Sequence, residues 1–373
     1  MTSSKKPFGL YIHVPFCSSK CPYCDFYSER KKDNIPLYLN AVKEELAFLN
    51  RSKSFVSPEI YNREVSSVYF GGGTPSVLRA SDIKGILGTV KEKFILSKNA
   101  EVTLECNPSL KNKEEFFEGL KNAGVNRVSL GLQSAVLSER KALGRLGSAE
   151  DAAQAVYAAK KAGIEDISLD IMLGIPEQTQ DSLKFSLDFA LNLPVSHLSV
   201  YILKLEEGTV FFSRKDKLDL PDDDAVSDMY LFTCEHLKKK GMRHYEISNF
   251  CFDNFAGKHN LNYWKCGEYL GIGPSAHSFI NGKRFYFERD ISAFICGAPP
   301  IFDCDGGSSE ERLMLALRTD EGISIPEKSE RLSEIIKEFQ NFGLLNVSND
   351  RVILTDKGFL VSNYIISEIL SEI

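Results

Sequence analysis

Cys17-Ser-Ser-Lys-Cys21-Pro-Tyr-Cys24-Asp-Phe26 places three thiols within eight residues, and no further cysteine or histidine follows nearby. The spacing Cys-x3-Cys-x2-Cys lets the three sulfurs converge on one metal centre. A closed zinc site takes four ligands, so zinc would need a distant fourth such as Cys106 or a histidine. A disulfide suits an oxidising compartment, whereas nine cysteines in a long chain with no expected leader read as reduced, cytoplasmic thiols. A [4Fe–4S] cluster normally takes four thiolates. With three, one iron keeps an open position for an outside ligand. Of the three, the cluster agrees best with the sequence on either side.

Upstream, Gly-Leu-Tyr-Ile-His-Val-Pro (9–15) reads as a strand that delivers the thiols. Two lysines precede it, but the apolar run is short, is interrupted by His13 and Pro15, and lacks a small-residue cleavage site, so no signal peptide is expected. Downstream, apolar runs at 65–73, 101–108, 127–134, 167–176 and 197–205 alternate with helical patterns at 36–49, 81–94, 112–123, 148–162 and 180–192. Such alternation predicts βαβ units and parallel pairing. Six strand–helix units predict an open, incomplete barrel, with a doubly wound sheet as the rival. The pattern changes after about residue 210. A helix over 222–240 and a polar-aromatic stretch over 259–287 follow, and then helices flanking a hairpin from Asn346 to Ile353. The expected division is 1–210 for the barrel, 211–300 for an extension and 301–373 for a small helical domain with a β-wing. The formal net charge of −6 gives no electrostatic support to a nucleic-acid role. No apolar run reaches transmembrane length.

In parallel α/β barrels function gathers at the carboxyl ends of the strands. Those ends carry the three cysteines, Gly71-Gly72-Gly73-Thr74, Glu105 and Gln133, and Asp170 lies inside the apolar run Ile-Ser-Leu-Asp-Ile-Met-Leu. Buried carboxylates and amides are costly unless paired, so their recurrence at neighbouring strand ends points to a shared polar ligand.

With these residues in view, the chain resembles the radical S-adenosylmethionine (SAM) superfamily: Tyr-Ile-His-Val-Pro-Phe before the cysteines, and Gly-Gly-Gly-Thr-Pro-Ser after the second strand. The resemblance extends to the coproporphyrinogen-dehydrogenase-like branch through LGLQS, LDIMLGIPEQT, HLSVY, YEISNF and HNLNYW. It implies a partial (β/α)6 TIM-like barrel with a smaller C-terminal α+β, winged-helix-like domain. It implies that Cys17, Cys21 and Cys24 bind a [4Fe–4S] cluster whose open iron takes SAM. Tyr11 and Tyr23 would flank the cluster, and Gly72, Gly73 and Thr74 would contact SAM. Glu105, Gln133, Arg145 and Asp170 would complete that pocket, with Lys204 and His277 at further matching positions.

Within the branch, the oxygen-independent coproporphyrinogen III dehydrogenases carry an additional cysteine where this chain has Phe26, and an N-terminal extension where only sixteen residues precede Cys17. The heme chaperones of the branch have phenylalanine there and an H-N-x-x-Y-W motif, matched by His259-Asn260-Leu261-Asn262-Tyr263-Trp264. The resemblance therefore implies heme as a third bound group, with His259 as first candidate ligand, Tyr263 and Cys266 behind it, and Asn260 and Trp264 nearby. On residue types alone, an ordered loop with a satisfied histidine explains the motif equally well. The resemblance also implies heme-accepting partners, and it allows a homodimer and peripheral membrane contact. One departure is Gly147, which stands where the family carries histidine in L-G-R-x-H.

Overall fold

The computed structural model describes residues 6–145, 147–325 and 329–372. The first five residues of the segment weighed as a leader, and Leu146 of the Leu-Gly-Arg-x-x turn, lie outside the described residues.

The six expected strands are all present: β1 (Phe8–Val14), β2 (Glu64–Gly72), β3 (Ile95–Cys106), β4 (Arg127–Gln133), β5 (Asp166–Leu173) and β6 (His197–Ile202). They pair in parallel and in sequence order, β1-β2-β3-β4-β5-β6. A doubly wound sheet reverses its strand order at a switch point. This one does not, so it curves as the arc of a barrel. Outward residues such as Leu10, Ile12, Val68, Phe70, Val128, Leu130, Leu169 and Ile171 are fully buried in the core between sheet and helices. The opposite faces carry Thr103, Glu105, Ser129, Gln133, Ser168 and Asp170 into the interior.

Further strands extend the arc on both sides. Beyond β6 run β7 (Arg243–Glu246) and β8 (Asn249–Cys251), with β8 antiparallel to β6. On the other side β9 (Tyr269–Ile272) joins β1 in parallel, followed by β10 (His277–Ile280), β11 (Lys283–Tyr286) and β12 (Ile301–Asp305). The twelve-stranded sheet therefore runs to Asp305, five residues past the boundary expected at 300. The C-terminal segment packs helices Ser309–Ala316, Glu330–Asn341 and Ser362–Leu370 with a three-stranded antiparallel sheet. That sheet comprises β13 (Ile323–Ser324), β14 (Leu345–Ser348) and β15 (Arg351–Leu354). Among the described residues, no helix is long and apolar enough to cross a membrane.

Candidate functional site

The barrel encloses a cavity of about 1610 Å³, reaching from the cysteine loop down through the interior. Two main-chain bonds hold the loop against the glycine turn. The Gly73 N–H donates to Val14 O at 2.9 Å and the Thr74 N–H donates to Phe16 O at 2.7 Å. A side chain at Gly73 would put a carbon 2.6 Å from the Phe16 carbonyl oxygen, so only glycine lets the two segments approach this closely. Cys17 Sγ lies 3.2 Å from Thr74 Oγ1, and the Arg145 guanidinium donates to Cys21 Sγ at 3.8 Å and to Gly131 O at 2.7 Å. Arg145 Nε is buried with no hydrogen-bond partner among the described residues. Among the described residues, no set of ligand atoms including the three thiols draws together within the span of a single ion. A larger centre, with a polar ligand beside Arg145, fits these donors better.

The expected pocket residues converge on the cavity. Glu105 accepts a hydrogen bond from Tyr69 Oη at 2.8 Å, Asp170 from Ser129 Oγ at 2.9 Å, and Gln133 Oε1 from Tyr201 Oη at 2.8 Å. Tyr11 Oη contacts His13 Nδ1 at 3.1 Å, and Tyr23 packs against Phe211 with ring centroids 6.1 Å apart. Lys204 and His277 stand on the exposed rim, Lys204 paired with Glu206 at 2.8 Å. Tyr69, Ser129 and Tyr201 were not singled out in the sequence. Their signal is the alternation of polar residues in Val-Ser-Ser-Val-Tyr, Arg-Val-Ser-Leu-Gly-Leu-Gln and His-Leu-Ser-Val-Tyr, which marks the interior face at every second residue.

Gly147 has φ +90°, and a side-chain carbon there would meet Ser109 Oγ at 1.9 Å. The turn is built for glycine, and a histidine would require it to move.

Burial inside the barrel, then the nearby Asp170 charge, push the Glu105 carboxyl up to about 7, against the hydrogen bond from Tyr69. Its folded pKa therefore lies above its unfolded one. The stability it contributes is full below the ordinary carboxylate range and is lost as pH rises through about 7. Glu105→Gln is expected to reduce the fall in unfolding free energy between about pH 5 and pH 8 by about 2–3 kcal/mol. Denaturant titrations of both proteins across that range check this, and parallel pH profiles would refute it.

The HNLNYW motif lies at the other end of the barrel. Helix Lys258–Trp264 closes the amino ends of the strands, with the main-chain N–H groups of Lys258 and His259 donating to Glu101 at 2.7 and 3.1 Å. His259 is 1% exposed. Its Nδ1 bonds Ser67 Oγ and its Nε2 bonds Tyr263 Oη, each at 2.8 Å, and the ring stacks on Tyr69. Burial lowers its pKa to about 3, so the ring is neutral. To ligate iron, His259 would have to give up both hydrogen bonds and leave the core. Tyr263 and Asn260 reach the cavity wall, Cys266 is buried beside it, and Trp264 supports the buried Glu246 carboxyl. The satisfied-histidine alternative thus describes how this motif sits.

A family model of the radical SAM superfamily matches residues 11–190, and one of the HemN C-terminal domain matches residues 309–361. The heme chaperone HemW of Lactococcus lactis is 33% identical over 98% of both chains. HemW of Bacillus subtilis is 31% identical over 98% of this chain and all of its own. HemW of Haemophilus influenzae is 40% identical over 77% of this chain and 73% of its own. Among solved structures, the coproporphyrinogen III oxidase HemN of Escherichia coli, a radical SAM enzyme, superposes with a TM-score of 0.79 over 98% of this chain and 90% of its own, at 19% identity.

Proposed function

The chain belongs to the HemW heme-chaperone family of the radical SAM superfamily, and we propose that it binds heme and passes it to heme-accepting proteins in the cytoplasm. The observation that carries this reading is the match, over 98% of this chain, to relatives named as heme chaperones. The cytoplasmic placement rests on nine free thiols.

Cys17, Cys21 and Cys24 would hold a [4Fe–4S] cluster. Thr74, Glu105, Gln133, Arg145 and Asp170 would line the SAM site beside it, the carboxylates accepting from its amino or hydroxyl groups and Arg145 donating to its carboxylate. Such a cluster, when bound and reduced, supplies an electron for cleaving SAM. The residues of this chain position the ligand: Tyr69 and Ser129 hold the two carboxylates in place, and Tyr201 orients the Gln133 amide.

The second reading is oxidative decarboxylation of coproporphyrinogen III, favoured by the shared HemN-like fold over 98% of the chain. At 19% identity the likeness carries the fold alone, and Phe26 stands where the dehydrogenases have their additional cysteine. One preparation, reconstituted anaerobically with iron and sulfide, tests both. The expected outcome is stoichiometric hemin uptake in a Soret titration and no protoporphyrinogen from coproporphyrinogen III with SAM and a reductant. Product formation, or absence of hemin uptake, would overturn the proposal.

A further inference from the structure

The cavity offers a heme iron a choice of histidines, and the structure narrows it to one. The chain has six. His13, His197 and His259 each have both ring nitrogens hydrogen-bonded: His13 to Tyr11 Oη and the Tyr27 carbonyl, His197 to Ser168 and Tyr245, His259 to Ser67 and Tyr263. His236 and His244 pair with Asp188 and Asp356, away from the cavity wall. His277 alone is exposed, lines the cavity and has no hydrogen bond to either ring nitrogen among the described residues.

The topology brings this ring to the end that carries the cysteine loop. β9 runs parallel to β1, so both finish at the same end, and the chain turns back there to start β10 at His277. The turn presses on the end of β1: Gly273 packs against the His13 carbonyl. The next connection ties down the loop itself. Arg289 donates to Asp25 Oδ2 at 2.8 Å, and the Ile291 N–H donates to Tyr27 Oη at 2.9 Å. Between these anchors lies Phe26, 65% exposed, a large apolar ring left in the open at the cavity mouth. His277 is braced from behind by Tyr286, with ring centroids 5.1 Å apart and planes 23° from parallel.

A metalloporphyrin asks for three things: an imidazole lone pair for the iron, an apolar surface for the macrocycle and a cation for a propionate. His277, Phe26 and Arg289 supply one each. We propose that the iron of the bound heme is ligated by His277 at the mouth of the barrel, with Phe26 against the macrocycle and Arg289 beside a propionate. HNLNYW then serves as the floor of the barrel, with no iron ligand among its residues. The inference rests on heme binding as proposed above. It differs from the resemblance, which groups His277 with SAM and places heme on His259.

Hemin titration of the cluster-loaded protein, read by Soret position and by the spin state in electron paramagnetic resonance, tests it. Wild-type protein is expected to show a histidine-ligated spectrum. His277→Ala is expected to lose about tenfold or more in hemin affinity, to change spin state, and to recover the wild-type spectrum when imidazole is added. His259→Gln is expected to lower Tm without moving the Soret band. A wild-type spectrum and affinity in His277→Ala would overturn the assignment, as would loss of the histidine signature in His259→Gln alone. If wild-type protein takes up no hemin, the heme reading itself fails, a result separable from either variant outcome.

Discussion

Replacing any one of Cys17, Cys21 or Cys24 with alanine is expected to bring iron and sulfide after anaerobic reconstitution down to background, and SAM retention with them. The three thiols sit on one loop that is hydrogen-bonded to the glycine turn at Gly73 and Thr74, so their positions are set together. Among the described residues, no further thiol or histidine draws together with the three in one set of ligand atoms. Cys106, the next thiol along the cavity wall, is buried, and its pKa is raised by burial and by the Glu105 charge, so it holds its proton. Cys296 is exposed, and Cys296→Ala serves as the control that leaves iron content unchanged. Iron and sulfide analysis with the visible absorbance band decides the matter: wild-type cluster content in any single-cysteine variant would refute the ligand assignment.

The largest loss of stability is expected at the floor of the barrel. Arg127 is 5% exposed and donates from Nη1 to both carboxylate oxygens of Asp166 at 2.8 Å, and to Phe255 O at 3.1 Å. Glu101, buried beside it, anchors the helix that closes the strands. Arg127→Met leaves the half-buried Asp166 and the buried Glu101 as negative charges without their cation. Breaking a buried pair in this way costs about 3–5 kcal/mol. Chemical denaturation at fixed cluster content checks it. Because the cost arises from the stranded carboxylates, Arg127→Met combined with Asp166→Leu should recover part of it. A loss below about 1 kcal/mol in the single variant would place Arg127 among screened surface pairs instead.

The six barrel strands were legible because their outward residues form apolar runs separated by helical patterns of ordinary length. The exception is the start of β3, expected at residue 101 and found at Ile95. Its first residues, Ile-Leu-Ser-Lys-Asn, are largely exposed and pair with β2 across a register irregularity, so they lack the apolar alternation of a half-buried strand. The strands β9, β10 and β11 were hidden in the stretch 259–287 for a different reason. At four residues each they are too short for a period to show, and β9 becomes a strand only by lying beside β1. The interior face was half legible. Glu105, Gln133 and Asp170 stood out as polar residues at strand ends or in an apolar run, whereas Arg127, Ser129 and His197 belong to the same alternation lower in the barrel.

The sequence by itself determined the alternation of strand and helix and the thiol triplet. Both depend on residues close along the chain, where covalent spacing settles geometry: two intervening residues hold Cys21 and Cys24 on one tight loop in any fold. It could not determine which histidine meets the cavity. His259 and His277 are similar by type and by polar-aromatic company. One is enclosed by Ser67, Tyr69 and Glu101, which reach it only after the barrel has formed, and the other is carried to the mouth by the pairing of β9 with β1. Burial and hydrogen-bond saturation come from contacts distant in the chain, so only the tertiary structure decided them.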